Sequence, residues 1–156
     1  MFSLFIRNLI YTILQPGLVA GLIPFWLIGF NTEKIFMTWK AQQYVACVLF
    51  LLGFILMCWC IINFAVQGKG TLSPADRTQN LVISGPYKIS RNPMYIGVMG
   101  MLIGEAVFFG ATRLWLYSGA VFLAFNVFIL MIEEPRLHRD FGATYLEYCQ
   151  QVRRWL

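Results

Sequence analysis

The residues best suited to bind a charged ligand lie in one short stretch, residues 81–97, which has the sequence LVISGPYKISRNPMYIG. It carries two cations, Lys88 and Arg91. It also carries Tyr87 and Tyr95, whose phenol groups can both stack and form hydrogen bonds. This combination can neutralise an anion and can place aromatic faces beside a cationic group.

The backbone of this stretch is restricted at several positions. Pro86 and Pro93 fix φ, and Gly85 permits a turn that other residues disfavour. Pro93 suits the first turn of a helix, with Ser90 or Asn92 as its cap. We therefore expect a polar turn that leads directly into an apolar helix, whose N-terminus favours an anion.

Composition indicates an integral membrane protein. Hydrophobic residues make up 59% of the chain, charged residues 12%, and the mean hydropathy is +0.67, a balance that is not typical of soluble domains. We expect a single membrane domain over residues 1–156. The net charge of +5 lies in loops and the tail, so membrane topology explains it better than nucleic acid binding does.

Metal, redox and nucleotide motifs are weak or missing in the sequence. Cys47, Cys58 and Cys60 lie in one apolar run and Cys149 lies near the end, so we interpret all four as small hydrophobic side chains. His138 is the only histidine, which excludes a histidine-box di-iron enzyme and argues against a zinc site. Neither a Walker phosphate loop nor a Rossmann glycine motif is present.

The hydropathy pattern predicts an all-α integral membrane protein with about four transmembrane helices and a C-terminal amphipathic interfacial helix. The expected spans are residues 9–30, 44–66, 95–110 and 115–132, with a cytoplasmic loop at 67–94 and the interfacial helix at 135–153. Pro16 and Pro24 should kink the first span. Whether the interfacial helix is a lid or only an anchor stays open.

Lys and Arg residues predict the orientation. The middle loop and the tail hold eight of the twelve, at positions 69, 77, 88, 91, 136, 139, 153 and 154. The positive-inside rule therefore places this loop and both termini in the cytoplasm. We expect the membrane to be a prokaryotic cell membrane.

The third predicted span contains two features that require a neighbour. Gly100 and Gly104 form a small-xxx-small pair, which lets another helix approach closely. Glu105 is costly inside a membrane unless it is paired or neutral. Arg113, just past the next turn, is its candidate partner, and we expect this pair to be structural.

The connection between the third and fourth spans, residues 111–114, is short. A connection of this length forces an antiparallel hairpin, which returns Glu133 and Glu134 to the membrane side of Arg91 and Tyr95. Carboxylates and cations opposed in this way fit a zwitterionic ligand. Alternatively, the two glutamates only end a span at the interface, with one in water and one paired to an arginine.

Two segments together carry a family resemblance. SGPYKISRNPMYIG, followed some forty residues later by EEPRLHRDFGATYLEYCQQVRRW, resembles the membrane methyltransferases of the isoprenylcysteine carboxyl methyltransferase and phospholipid N-methyltransferase group. The resemblance covers residue 67 to the end. Asn92 stands where the isoprenylcysteine enzymes usually have a histidine. The basic residue that those enzymes carry shortly before the glutamates is missing here.

The resemblance implies a binding site for S-adenosylmethionine at the cytoplasmic interface, with S-adenosylhomocysteine as the product. The positions that it implies as cofactor contacts are Gln67, Gln79, Asn80, Leu81, Val82, Tyr87, Asn92, Pro93, Met94, Tyr95, Glu133 and Glu134. Charge complementarity adds Arg91, which suits the cofactor carboxylate, while the glutamates suit its ammonium or ribose hydroxyls. We assign catalytic roles to Arg91, Glu133 and Glu134, either glutamate being able to act as a base if burial raises its pKa.

The predicted function is S-adenosylmethionine-dependent methyl transfer to a lipid or other amphiphile that carries an amine, a carboxylate or a thiol. The expected partners are the membrane and this acceptor, without nucleic acid or metal. The alternatives are a membrane reductase that uses a nicotinamide cofactor and a non-catalytic membrane protein that binds a partner.

Overall fold

The computed structural model describes residues 16–29, 39–67 and 80–156. These residues form helices and connecting segments, without a strand in the described ranges, so the predicted all-α class is confirmed. The α-helices are α1 (Ile23–Ile28, preceded by a π-helical segment Leu18–Leu22), α2 (Ala41–Gln67), α3 (Pro93–Phe109), α4 (Thr112–Phe128) and α5 (Glu134–Gln151). A short 3₁₀-helix, Gly85–Lys88, lies in the turn before α3.

Two of the described helices are long and apolar enough to cross a membrane. One is Ala41–Phe64, within α2. The other is the continuous helix Thr112–Gln151, which comprises α4, a π-helical segment and α5. The apolar helices Leu18–Ile28 and Pro93–Phe109 are shorter. The predicted spans 44–66, 95–110 and 115–132 thus correspond to helices. The predicted span 9–30 lies partly outside the described residues.

The kink in the first helical segment falls at Ala20, whose backbone is not helical (φ −108°, ψ 19°). Ala20 lies four residues before Pro24, and a proline ring clashes with the carbonyl group four residues earlier. The distortion releases the neighbouring Val19 carbonyl from a regular helical bond, and this oxygen accepts a hydrogen bond from the Tyr117 hydroxyl at 2.9 Å. The first segment is thereby tied to α4.

Glycines bring α2 and α3 into backbone contact. A Cβ atom on Gly97 would lie 2.8 Å from the Gly53 carbonyl oxygen, and one on Gly104 would lie 2.9 Å from the Ala46 carbonyl oxygen. Gly100 lies against Gly53 in the same way, with 3.3 Å between its ideal Cβ and the Gly53 Cα. The predicted close approach at Gly100 and Gly104 is therefore confirmed, and α2 is the partner.

The fourth predicted span and the predicted C-terminal helix are joined without an interruption. The chain continues from α4 through a π-helical segment, Ile129–Glu133, directly into α5. Pro135 occupies the first turn of α5, where a missing N–H costs little. A π-helical turn is wider than an α-helical turn and is frequent at functional sites, and here it ends at Glu133.

The predicted ion pair between Glu105 and Arg113 is wrong. Arg113 lies exposed in the first turn of α4, while the Oε2 atom of Glu105 is buried and without a hydrogen-bond partner. Glu105 faces α2, beside Ala46 and Cys47. The turn at Gly110 (φ 60°) carries the chain away before Arg113 is reached.

We predict that Gly97→Ala lowers the free energy of unfolding by about 1 to 3 kcal/mol, because a methyl group at this contact overpacks the interface. The measurement is a denaturant titration in detergent micelles. Gly119→Ala is the matched control, because nothing lies within 4 Å of its Cβ position and alanine favours a helix. Equal stability of the two variants would show that the glycine contact does not limit packing.

Candidate active site

The turn before α3 is seated on the end of α2. Gly85 adopts a positive φ (59°), and a Cβ there would lie 2.5 Å from the Asn63 side-chain nitrogen. The Gln67 side chain accepts a hydrogen bond from the Ser84 hydroxyl, and the Gln67 backbone oxygen accepts one from Asn80 at 3.3 Å. Gln67, predicted as a cofactor contact, therefore also holds the turn in place.

Ser90 and Asn92 connect the start of α3 to the tail. Asn92 occupies the N-cap position, as predicted, although its side chain makes no capping hydrogen bond; its N–H donates to the Ser90 hydroxyl at 3.1 Å. The Ser90 hydroxyl and the Asn92 amide both donate to the backbone oxygen of Arg154, at 3.2 and 3.0 Å. The Arg91 N–H donates to the Arg153 oxygen at 2.9 Å. The last residues thus run alongside the predicted binding turn.

Glu134 lies between two guanidinium groups. Arg154 donates to both Glu134 carboxylate oxygens at 2.8 Å, in a two-pronged pair. Arg91 approaches one of the same oxygens at 3.2 Å. Paired charges of this kind fix geometry strongly because two parallel hydrogen bonds restrict the orientation of both groups. The cluster joins the turn, the start of α5 and the tail.

Glu133 has a different environment from its neighbour. The Tyr95 hydroxyl donates to Glu133 Oε2 at 2.7 Å. The Tyr95 ring packs against Phe125 with 4.7 Å between the ring centres, so α3 and α4 fix this phenol together. The predicted hairpin therefore does bring Glu133 and Glu134 beside Tyr95 and Arg91. Both glutamates are half-buried and both have side-chain partners, which disfavours a simple end of a span at the interface.

Gly142 reverses the direction of α5. Its positive φ (51°) lies inside the helix bounds, and glycine accepts this conformation without a steric penalty. A straight helix from Glu134 to Gln151 would extend about 26 Å. Instead, Arg154 returns to within 2.8 Å of Glu134. The predicted helix at 135–153 is thus folded back on itself, and it covers the turn.

The second half of α5 packs on the turn through aromatic side chains. Tyr145, Tyr148 and Val152 form a buried cluster with Leu81. The Tyr148 hydroxyl donates to the Tyr87 backbone oxygen at 2.6 Å. These contacts favour a cover over the site in addition to an anchor.

Tyr87 lies within the same group of polar side chains. Burial raises the pKa of its hydroxyl, and the nearby Glu133 carboxylate raises this pKa further. The hydroxyl therefore stays protonated at neutral pH and serves as a hydrogen-bond donor.

The structure brings only some of the predicted site residues together. Those that the structure brings together around the two carboxylates are Tyr87, Arg91, Tyr95, Glu133 and Glu134. Val82 and Pro93 are buried, and Met94 packs against the core between the helices. Gln79 lies outside the described residues. Asn80 is exposed.

Sequence analysis missed several contacts from the tail. Arg91 Nη1 lies 2.7 Å from the Cys149 sulfur and 3.5 Å from the Tyr145 hydroxyl. The sequence pattern indicates Arg154 only as part of the topology signal. The FGATYLEYC spacing was a usable signal, because it places Tyr145, Tyr148 and Cys149 on adjacent turns of one helix.

Two buried donors in this region lack partners. They are the Asn63 side-chain nitrogen and Arg91 Nε. A buried donor without a hydrogen bond costs free energy, so both groups are suited to donate a hydrogen bond to a bound ligand.

The fold and the site together define a class of protein. The described part of the chain is that of a helical membrane protein with a charged cluster at the end of a hairpin. A family model described as phospholipid methyltransferase matches residues 41–144. The chain therefore belongs to the phospholipid methyltransferase family, and membership indicates membrane methyltransferase activity. The match contains Arg91, Tyr95, Glu133 and Glu134 and ends before the tail contacts. It does not favour the reductase or the non-catalytic alternative.

A relative is known in Haemophilus influenzae. This uncharacterized protein is 35% identical over 63 residues, which cover 40% of this chain and 100% of the relative. No solved structure matches the chain.

We predict that Arg154 and Glu134 are energetically coupled. A double-mutant cycle with Arg154→Ala and Glu134→Ala, measured by denaturant unfolding, should give about 0.5 to 3 kcal/mol. The control pair is Arg139 and Asp140, 3.7 Å apart with 72% of the Arg139 side chain exposed, for which about 0.2 to 1 kcal/mol is expected. A smaller coupling energy for Arg154 and Glu134 than for this control pair would contradict a stabilising role of the Arg154–Glu134 ion pair.

Proposed function

We propose that this chain transfers a methyl group from S-adenosylmethionine to a lipid or amphiphilic acceptor at the cytoplasmic boundary of the membrane. The observation that carries the proposal is the Tyr95–Glu133 hydrogen bond beside the Arg91–Glu134 ion pair. It joins a phenol, two carboxylates and a cation from three segments at one end of the hairpin. Family membership supports the reaction class.

The donor set fits S-adenosylmethionine. The cofactor carries an ammonium, a carboxylate and a sulfonium, and it supplies an electrophilic methyl group when bound. Glu133, whose described partner is the Tyr95 hydroxyl, suits the ammonium or a ribose hydroxyl. Arg91 still has an unpartnered Nε donor, which suits the carboxylate. The rings of Tyr87 and Tyr95 tolerate a sulfonium.

Within this proposal the two glutamates have different roles. Glu134 is held by Arg91 and Arg154, so it fixes the geometry of the site. Glu133 faces the ligand and is the better candidate for accepting a proton from an amine acceptor. Both were predicted as catalytic residues, and we now assign the direct role to Glu133.

The remaining task of the protein is to align donor and acceptor and to exclude water. Well-oriented reactants can gain about 7 to 11 kcal/mol of the barrier from alignment alone. The folded-back α5, with Tyr145 and Tyr148 over the turn, would keep water out. Neither a nucleophilic side chain nor a covalent intermediate is needed for this transfer.

The acceptor enters from the bilayer in this proposal. The family name favours a phospholipid, although the reacting group can be an amine, a carboxylate or a thiol. We further propose the four-span arrangement, with spans 9–30, 44–66, 95–110 and 115–132 in one domain, residues 1–156. The loop 67–94, the tail and both termini then lie in the cytoplasm of a prokaryotic cell.

Binding of S-adenosylhomocysteine to detergent-purified protein should be measurable by calorimetry. Glu133→Gln should weaken the affinity by about tenfold or more, as expected for a lost charged hydrogen bond. Asp140→Asn is the control, because it makes the same change of acid to amide at a carboxylate paired with Arg136 and Arg139.

Two outcomes would contradict the proposed cofactor site. One is undetectable binding of S-adenosylhomocysteine by the folded protein at millimolar ligand. The other is unchanged affinity in a folded Glu133→Gln variant. Binding of NADPH in place of S-adenosylhomocysteine would favour the reductase.

The topology predicts opposite accessibility for two exposed positions. Arg139→Cys should react with a membrane-impermeant maleimide only from the cytoplasmic side, and Arg113→Cys only from the outside. The measurement compares intact cells with inside-out vesicles. Labelling of both positions from the same side would exclude the proposed arrangement of the hairpin.

A further inference from the structure

A cavity lies between α2 and α3, away from the proposed active site. Its volume is about 360 Å³, and its lining residues are Ala46, Cys47, Phe50, Leu51, Gly104, Glu105, Phe108 and Phe109. Glu105 follows Tyr95 by ten residues on the same helix, which is about 15 Å along the helix axis. The cavity is therefore separate from the cluster around Glu133.

The cavity lies beside the tightest part of the helix contact. A Cβ on Gly104 would lie 2.9 Å from the Ala46 carbonyl oxygen and 3.0 Å from the Phe50 Cβ. The Gln43 side chain donates to the Phe108 carbonyl oxygen at 3.4 Å, which ties the two helices one turn further on. Contacts on both sides thus hold this part of α2 and α3 together, and the cavity is a fixed feature of the pair.

Glu105 is the one ionisable carboxyl group among the lining residues. Its Oε2 atom is buried and lacks a hydrogen-bond partner. Among the ion pairs of residues 16–29, 39–67 and 80–156, none involves Glu105. A buried carboxyl oxygen without a partner is unfavourable, so a ligand that donates a hydrogen bond there would relieve this cost.

The rest of the lining selects the body of the ligand. It is made largely of aliphatic and aromatic side chains with a single polar group, the pattern found in sites for small apolar molecules of this volume. Such a lining favours an aliphatic chain. The carboxyl group favours a head that is cationic and donates hydrogen bonds, and it disfavours a carboxylate.

We propose that this cavity binds a lipophilic primary amine, with the nitrogen on Glu105 and the chain between Phe50 and Phe108. The complementarity between an unpartnered carboxyl group and a cationic head commits the site to this class. The site does not depend on the proposed methyltransferase reaction.

Trp39 offers a signal for occupancy. Its ring lies edge-on to that of Phe108, with 5.5 Å between the ring centres. A ligand beside Phe108 should change the emission of Trp39. The Trp39→Phe variant supplies the background from the other tryptophans.

The experiment uses the full chain in phosphatidylcholine nanodiscs and decylamine as the probe. Decylamine should change the Trp39 emission saturably, whereas decanol and decanoate at the same membrane loading should give only a weak or linear response. Glu105→Gln should raise the half-saturation concentration by about tenfold or more. Asp140→Asn should leave it unchanged.

A second variant tests the location without a change in charge. Cys47→Leu adds volume to the cavity wall and should also weaken decylamine binding. The proposal is overturned if the response is linear in probe, if decanoate binds as well as decylamine, or if Glu105→Gln and Cys47→Leu both bind like the wild type. Because the readout is binding at Trp39, failure here leaves the S-adenosylhomocysteine result untouched.

Discussion

The shared carboxylate of Glu134 is the interaction on which the site depends. It pairs with Arg91 from the turn before α3 and with Arg154 from the tail, so one group holds three segments that are distant in sequence. The side chains of Arg91 and Glu134 are only 14% and 19% exposed. Charges this well shielded are costly without partners, so separating the segments would leave uncompensated charge on each of them.

This constraint also separates the roles of two adjacent glutamates. Successive residues on a helix point about 100° apart, and the π-helical segment Ile129–Glu133 widens the turn at this point. Glu134 therefore faces the two arginines, while Glu133 faces the Tyr95 hydroxyl. One carboxylate stabilises the fold, and the other is directed to the position where we place the ligand.

Local signals in the sequence were sufficient to predict part of this arrangement. The short connection after Gly110 determines the antiparallel hairpin, and small residues such as Gly104 predict a close contact with another helix, which the structure identifies as α2. Both signals lie in residues that are near one another in the chain. The position of Glu133 beside Tyr95 follows from them, because the two helices have similar lengths.

The remaining features depend on tertiary contacts. Pro135 correctly indicates the first turn of α5, but the sequence does not show that a π-helical segment joins this helix to α4. Gly142 permits a reversal, but the sequence alone does not show that the chain turns there. The pairing of Arg154 with Glu134 exists only because of that reversal. Without knowledge of the reversal, the sequence indicates Arg154 only as a topology signal.

The central claim is that the cluster around Glu133 and Tyr95 performs methyl transfer, and an assay with methyl-labelled S-adenosylmethionine tests it most directly. Purified protein in nanodiscs of mixed phospholipids should move the label into the extracted lipid fraction. Asp140→Asn should retain this transfer, and Glu133→Gln should lose most of it while remaining folded. Transfer by Glu133→Gln at the wild-type rate, or a lipid fraction without label when wild-type protein is present, would contradict the account.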